Sequence, residues 1–138
     1  MILQQEVITA QENWGQGIVR IGKNELEAST FVAKMYDQDA LFKPTMAKEI
    51  PFRLELEKAI SYFVGGTVNE DNGFAKKPWT AVRFDNAKVN LYSDHAMAMG
   101  HYYFSDTNNE ETKVEYSFVY LKDEEGNLKI SLHHSSLP

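Results

Sequence analysis

The sequence predicts an α+β domain in which N-terminal helices pack on a curved antiparallel sheet and close a cone-shaped interior. Two observations lead there. Apolar residues recur at helical spacing as far as Gly65-Gly66, and from Trp79 onward they alternate with a period of two. The alternating runs then follow one another across short turns, which is how an antiparallel meander is connected. Helices first and strands afterwards is the segregation of an α+β fold. A twisted sheet with helices on one side encloses a space suited to a small molecule.

The 138 residues suit one domain spanning 1–138, with enough chain for one sizeable core. A net charge of −6 argues against nucleic acid, which calls for a basic face, and against an anionic membrane surface. No run nears the ~18 apolar residues of a spanning helix. An anionic substrate would need a local positive group to draw it in. Without cysteine there is no disulfide, no thiolate nucleophile and no cysteine-held metal. The opening residues lack a signal peptide's basic and apolar regions, so a cytoplasmic location is expected, or a periplasmic or organellar one if a leader has been removed.

Val7, Ala10, Gln11, Trp14, Ile18 and Ile21 share one face of a first helix, with Gly22 as its stop. Gly15 and Gly17 each weaken it by about 1 kcal/mol relative to alanine, which suggests a close backbone or a bend there. A second helix is expected from Asn24, burying Ala28, Phe31, Val32 and Met35. Asp37–Asp39 reads as a turn, Ala40-Leu41-Phe42 as a short extended piece, and Pro44 leaves Thr45 just beyond a strand end. Pro51 suits the first position of a third helix, with Phe52, Leu56, Ala59, Ile60 and Phe63 as its stripe and Tyr62 at the flank. Val82 and Phe84 are expected to pair with Ala87, Val89 and Leu91 in a hairpin across Asp85-Asn86. Ala96, Ala98 and Gly100 form a small face open to close approach. Val114, Tyr116, Phe118 and Tyr120 form one face of another strand.

The last stretch, Leu132-His133-His134-Ser135-Ser136-Leu137-Pro138, closes a further strand. Alternation places Ser131, His133 and Ser135 on one face and Ile130, Leu132, His134 and Ser136 on the other. The polar row suggests a lined pocket, with simple capping of a strand end as the alternative.

The helices-then-meander order and the runs Leu41-Phe42-Lys43-Pro44-Thr45, Phe52-Arg53, Ser61-Tyr62-Phe63 and His133–Pro138 resemble the nuclear-transport-factor-2-like superfamily. Within it they resemble proteins related to the calcium/calmodulin-dependent kinase II association domain, and among these the iota-class carbonic anhydrases. The resemblance implies reversible hydration of carbon dioxide to bicarbonate in a pocket lined by Thr45, Tyr62 and one of the terminal serines. Strand alternation favours Ser135 over Ser136. It also implies a homodimer.

His133 and His134 point to opposite strand faces and can hardly share a metal. His95 and His101 do not complete a three-histidine zinc site, so a metal-free mechanism is expected, with room left for weakly held zinc or manganese. In that mechanism Thr45, Tyr62 and Ser135 position water and bicarbonate while His133 carries the proton near neutral pH. Ser136, His134, Arg53 and Tyr116 are the expected additional substrate contacts. A non-catalytic binding or assembly module is the main alternative. An isomerase or cyclase fits less well, because Glu115 is the only acid on a strand that tempts as a buried base.

Overall fold

A computed structural model describes residues 1–138. Its long first helix, α1 (Gln4–Gly22), buries every residue of the expected stripe: Val7, Ala10, Gln11, Trp14, Ile18 and Ile21. The Glu6 carboxylate accepts the Leu3 backbone N–H at 2.9 Å and closes the helix start. A Cβ on Gly15 would stand 3.0 Å from that of Val82 and 3.3 Å from the Val82 carbonyl. That glycine therefore marks where α1 lies against the sheet.

Helix α2 (Ala28–Met35) runs straight into strand β1 (Tyr36–Lys43). Two expectations are corrected here. Helix α2 begins four residues after Asn24, which is in the left-handed region at φ 60° instead of capping a helix. Asp37–Asp39 lies within β1 and is no turn; the parallel ladder with the last strand breaks register over these residues, between the Tyr36–Ile130 and Leu41–Leu132 pairs. The third helix, α3 (Leu56–Val64), starts later than Pro51 suggests. Residues 51–55 are extended instead, with the Arg53 N–H donating to the Phe42 carbonyl at 2.7 Å, and Phe52 is exposed. Gly65, at φ +81°, ends α3 as expected.

After a 3-10 turn (Phe74–Lys76) come β2 (Ala81–Leu91), β3 (His95–Ser105), β4 (Glu111–Lys122) and β5 (Leu128–Ser136). The sheet order is β1-β5-β4-β3-β2. The expected meander is present in β2 to β5, and β1 adds a parallel edge, so the sheet is mixed and not purely antiparallel. The hairpin across Asp85-Asn86 does not form. Those residues sit in one continuous strand that bulges at Ala87, since Asn86 pairs with Gly100 and Lys88 with Met99. Gly100 permits that bulge, because a Cβ there would collide with the Asp85 carbonyl oxygen.

A second bulge governs the site. Tyr120 pairs with Ile130 and Val119 with Leu132, leaving Ser131 as the extra residue in β5. Ile130 is thereby turned to the same face as His133 and Ser135, not to that of His134 and Ser136, and all three are about 1% exposed. Opposite them the inward residues of β4, Val114, Tyr116, Phe118 and Tyr120, are buried as expected. Trp14, Phe31 and Phe63 close the core from the helices.

Candidate active site

Strand β5 delivers His133 and Ser135 side by side into the aromatic interior. The imidazole lies between the rings of Phe118 and Phe42, with centroids 4.1 and 4.7 Å away, and meets the edge of Trp14. Such enclosure removes solvent, which penalises the charged form. Burial, with a smaller contribution from His134, pushes His133 well below the ordinary histidine value. The ring is neutral throughout the neutral pH range, unlike the near-neutral proton carrier expected from sequence.

Both ring nitrogens are engaged. The Tyr36 hydroxyl is 2.8 Å from Nδ1 and itself accepts the Trp14 indole N–H at 3.0 Å. The Tyr102 hydroxyl is 3.0 Å from Nε2 and 2.5 Å from the Ser135 hydroxyl. Ser135 in turn lies 2.6 Å from the Thr45 hydroxyl. These side chains thus form one file, from Trp14 at the wall to Thr45 at the end of β1. Burial pushes the phenols of Tyr36, Tyr62 and Tyr102 above their ordinary value, so all three are protonated at neutral pH.

Thr45 and Ser135, with Tyr62 and Tyr102, border an enclosed cavity completed by Trp14, His133 and phenylalanines. The space open to the centre of a water molecule is about 10 Å³, room for roughly one water. The Tyr62 oxygen accepts the Met46 backbone N–H at 3.3 Å, leaving its own proton available to the cavity.

Thr45 is carried on a strap, residues 44–55, that is tied down independently. The Arg53 guanidinium makes a paired contact with Asp71 at 2.7 and 2.8 Å and also donates to the Ile50 and Lys58 carbonyls. The Glu70 carboxylate accepts the backbone N–H groups of Lys48, Glu49 and Ile50. Those bonds hold its carboxyl below the usual range.

The profile of the metal-independent carbonic anhydrases matches residues 5–137. The chain belongs to that family. A metal-independent carbonic anhydrase of Nostoc sp. (strain PCC 7120) is 35% identical over 152 residues, covering 99% of this chain and 74% of that protein. The crystal structure of a cyanobacterial iota-carbonic anhydrase complexed with bicarbonate superposes with a TM-score of 0.90 at 33% identity, covering 99% of this chain and 93% of the other. A Xanthomonas campestris protein assigned to the calcium/calmodulin-dependent protein kinase II association domains gives 0.72 at 25% identity, covering 100% and 89%.

In this member of the metal-independent carbonic anhydrases, four expected residues meet at the cavity: Thr45, Tyr62, His133 and Ser135. The other four do not border it. Arg53 is spent on Asp71 and backbone carbonyls behind the strap. His134 is exposed on the opposite face of β5, and Ser136 follows it at the strand end, half-buried. Tyr116 gives its hydroxyl proton to Asn86, whose amide also pairs with Gln11. No three His, Cys, Asp or Glu side chains converge as a metal site, in keeping with the family's metal independence. Sequence reasoning missed Trp14, Tyr36 and Tyr102. Tyr102 carried a usable signal, since it shares the alternation of Ala96, Ala98 and Gly100. Tyr36 was hidden by the turn-like Asp37–Asp39 that follows it.

Proposed function

We propose that this protein hydrates carbon dioxide reversibly in the Thr45–Tyr62–Ser135 cavity, without a metal. The observation that carries this reading is the unbroken file of hydroxyls, Tyr102, Ser135 and Thr45, ending at a small cavity with aromatic walls. A neutral, low-polarity wall suits carbon dioxide, and fixed O–H groups suit the charge that develops on its oxygen.

No group bordering the cavity is ionised at neutral pH by these arguments, so the chemistry is a relay and not a deprotonation by a resident base. The water oxygen bonds to the carbon, and one C=O electron pair moves onto its oxygen. The water proton passes to the Thr45 oxygen as Thr45 gives its own proton, directly or through Tyr62, to that oxygen. The product is carbonic acid, which ionises to bicarbonate and a proton on reaching solvent. Every hydroxyl regains a proton in the step, and none becomes charged. A bicarbonate is larger than the one-water space, so its admission requires the strap at Thr45-Met46 to give.

A homodimer belongs to the same proposal, because Met97, Met99 and Leu121 stand exposed on the outer sheet face. Light scattering behind gel filtration tests it.

The activity is tested by stopped-flow hydration with a pH indicator on chelator-treated protein of checked metal content. Turnover that survives chelation supports the reading. Inactivity of well-folded protein would leave a ligand-binding or assembly module, and recovery only with added zinc or manganese would move the chemistry to a metal.

A further inference from the structure

The hydrogen bonds of the buried file have a direction, and one residue at its far end sets it. An indole N–H donates and never accepts. Trp14 Nε1 is 3.0 Å from the Tyr36 oxygen, so Tyr36 cannot give its proton back to Trp14. The only other polar group on the Tyr36 hydroxyl is His133 Nδ1 at 2.8 Å. The remaining surroundings are the rings of Phe42 and Phe63, and the residue is 2% exposed. Were Nδ1 protonated, the Tyr36 proton would be buried without an acceptor, which a folded interior disfavours. Tyr36 therefore donates to Nδ1.

The rest follows link by link. A neutral imidazole with an accepting Nδ1 carries its proton on Nε2. That proton points at the Tyr102 oxygen, 3.0 Å away. Tyr102 then gives its own proton to Ser135. The Ser135 hydroxyl is buried and hydrogen-bonded only to Tyr102 and Thr45, so with Tyr102 donating to it, its proton goes to Thr45, 2.6 Å away. Thr45, accepting from Ser135, is left with its proton free for the cavity.

We propose that Tyr36, itself directed by Trp14, locks His133 as the Nε2–H tautomer and so fixes Thr45 as a hydrogen-bond donor to the substrate. Tyr36 lies outside the cavity lining and is a positioning residue. The lock also gives His133 a role other than proton shuttle. Its one basic lone pair faces Tyr36, and the nitrogen nearer the cavity already holds a proton, so a water proton entering at Thr45 has no site on the ring to reach. The relay rests on the carbon dioxide reading above: with the file reversed, Thr45 would donate to Ser135 and have no proton to pass on. The tautomer itself does not depend on that reading.

The experiment is two-bond proton–nitrogen correlation NMR on protein with 15N-labelled histidine, for the wild type and Tyr36→Phe, alongside stopped-flow hydration of both. The wild type is expected to show a pyridine-type Nδ1 and a pyrrole-type Nε2 on His133, unchanged from about pH 6 to about pH 9. In Tyr36→Phe the two nitrogens should move towards averaged positions as both tautomers become populated. Its kcat should fall about tenfold, less than the 10²–10³ of deleting a donor outright, with KM nearly unchanged. A wild-type ring protonated on Nδ1, or on both nitrogens, overturns the lock even if the variant never folds. Retention of the wild-type tautomer in Tyr36→Phe would show that Tyr36 does not impose it. A changed tautomer with unchanged kcat would refute the link to Thr45. An inactive wild type with the expected tautomer would refute the hydration reading alone and leave the lock standing.

Discussion

The hydroxyls of Thr45 and Ser135 lie 2.6 Å apart although ninety residues separate them in the chain. The parallel pairing of β1 with β5 brings them together, since Lys43 stands opposite His134 at the end of that ladder. The Lys43 ammonium reinforces the approach by donating to the Ser135 carbonyl at 3.0 Å. Ser135→Ala breaks the file in the middle and leaves the buried Tyr102 proton without its acceptor. Hydration should fall by about 10² or more in both Ser135→Ala and Thr45→Val. Stability should fall by about 1–3 kcal/mol in Ser135→Ala. Stopped-flow rates and urea titrations of the two variants check this, and near-wild-type rates in both would remove the hydroxyl file from the chemistry.

The guanidinium of Arg53 is fully buried and makes its ion pair with an Asp71 carboxylate that is 2% exposed. Asp71 also accepts from the Ser61 hydroxyl at 2.6 Å, which in turn receives the backbone N–H groups of Thr67 and Val68. Arg53→Met would strand a buried carboxylate, so a loss of about 3–5 kcal/mol is expected by urea denaturation. The double replacement Arg53→Met with Asp71→Leu should recover much of it. A small loss in the single variant would mean that Asp71 finds solvent, and that the strap is held chiefly by Glu70.

The fold class was legible because helical and alternating apolar spacing are direct projections of packing onto sequence, and the α1 stripe and the β4 face need nothing else. Thr45, Tyr62, His133 and Ser135 could be named because they cluster in short runs matching a family pattern. Bulges carry no such signature. Ser131 looks like any other strand residue, yet it alone decides that Ile130 and His133 face the same way. Asp85-Asn86 has turn composition because a bulge and a turn ask for similar backbone freedom. Arg53 was expected at the substrate because its true partner, eighteen residues on, is set by the loop between α3 and the 3-10 turn and not by any period.

Gly100 offers a direct test of the β2 bulge. An added Cβ would lie 2.6 Å from the Ala87 nitrogen as well as inside contact distance of the Asp85 carbonyl, and both are backbone atoms that cannot rotate away. Asn86, held at that bulge, is the partner of Gln11 and Tyr116, so displacement spreads to α1 and β4. Gly100→Ala should cost at least about 1–3 kcal/mol, the usual range for overpacking. A loss under about 0.5 kcal/mol by urea denaturation would mean that β2 and β3 can part at the bulge without penalty.

The buried imidazole makes stability depend on pH in a window of its own. In the unfolded chain His133 takes up a proton near the ordinary value of 6.5, whereas the folded ring stays neutral well below it. Between those two values the unfolded state binds more protons, so stability falls as pH falls. The loss begins near pH 6.5 and approaches about 1.4 kcal/mol per pH unit at its steepest, with no contribution from this ring at higher pH. The depressed carboxyls of Glu6 and Glu70 act with the same sign, but only as pH drops below their ordinary 4.5. Urea titrations between about pH 7.5 and about pH 5 therefore stay above the carboxyl range, and comparison with a His133 variant singles out this ring. His133→Gln, which can still accept from Tyr36 and donate to Tyr102, should flatten the dependence relative to wild type. A wild-type profile as flat as the variant's would mean that the ring protonates in the folded protein, which the enclosing Phe42 and Phe118 faces would then have to open to allow.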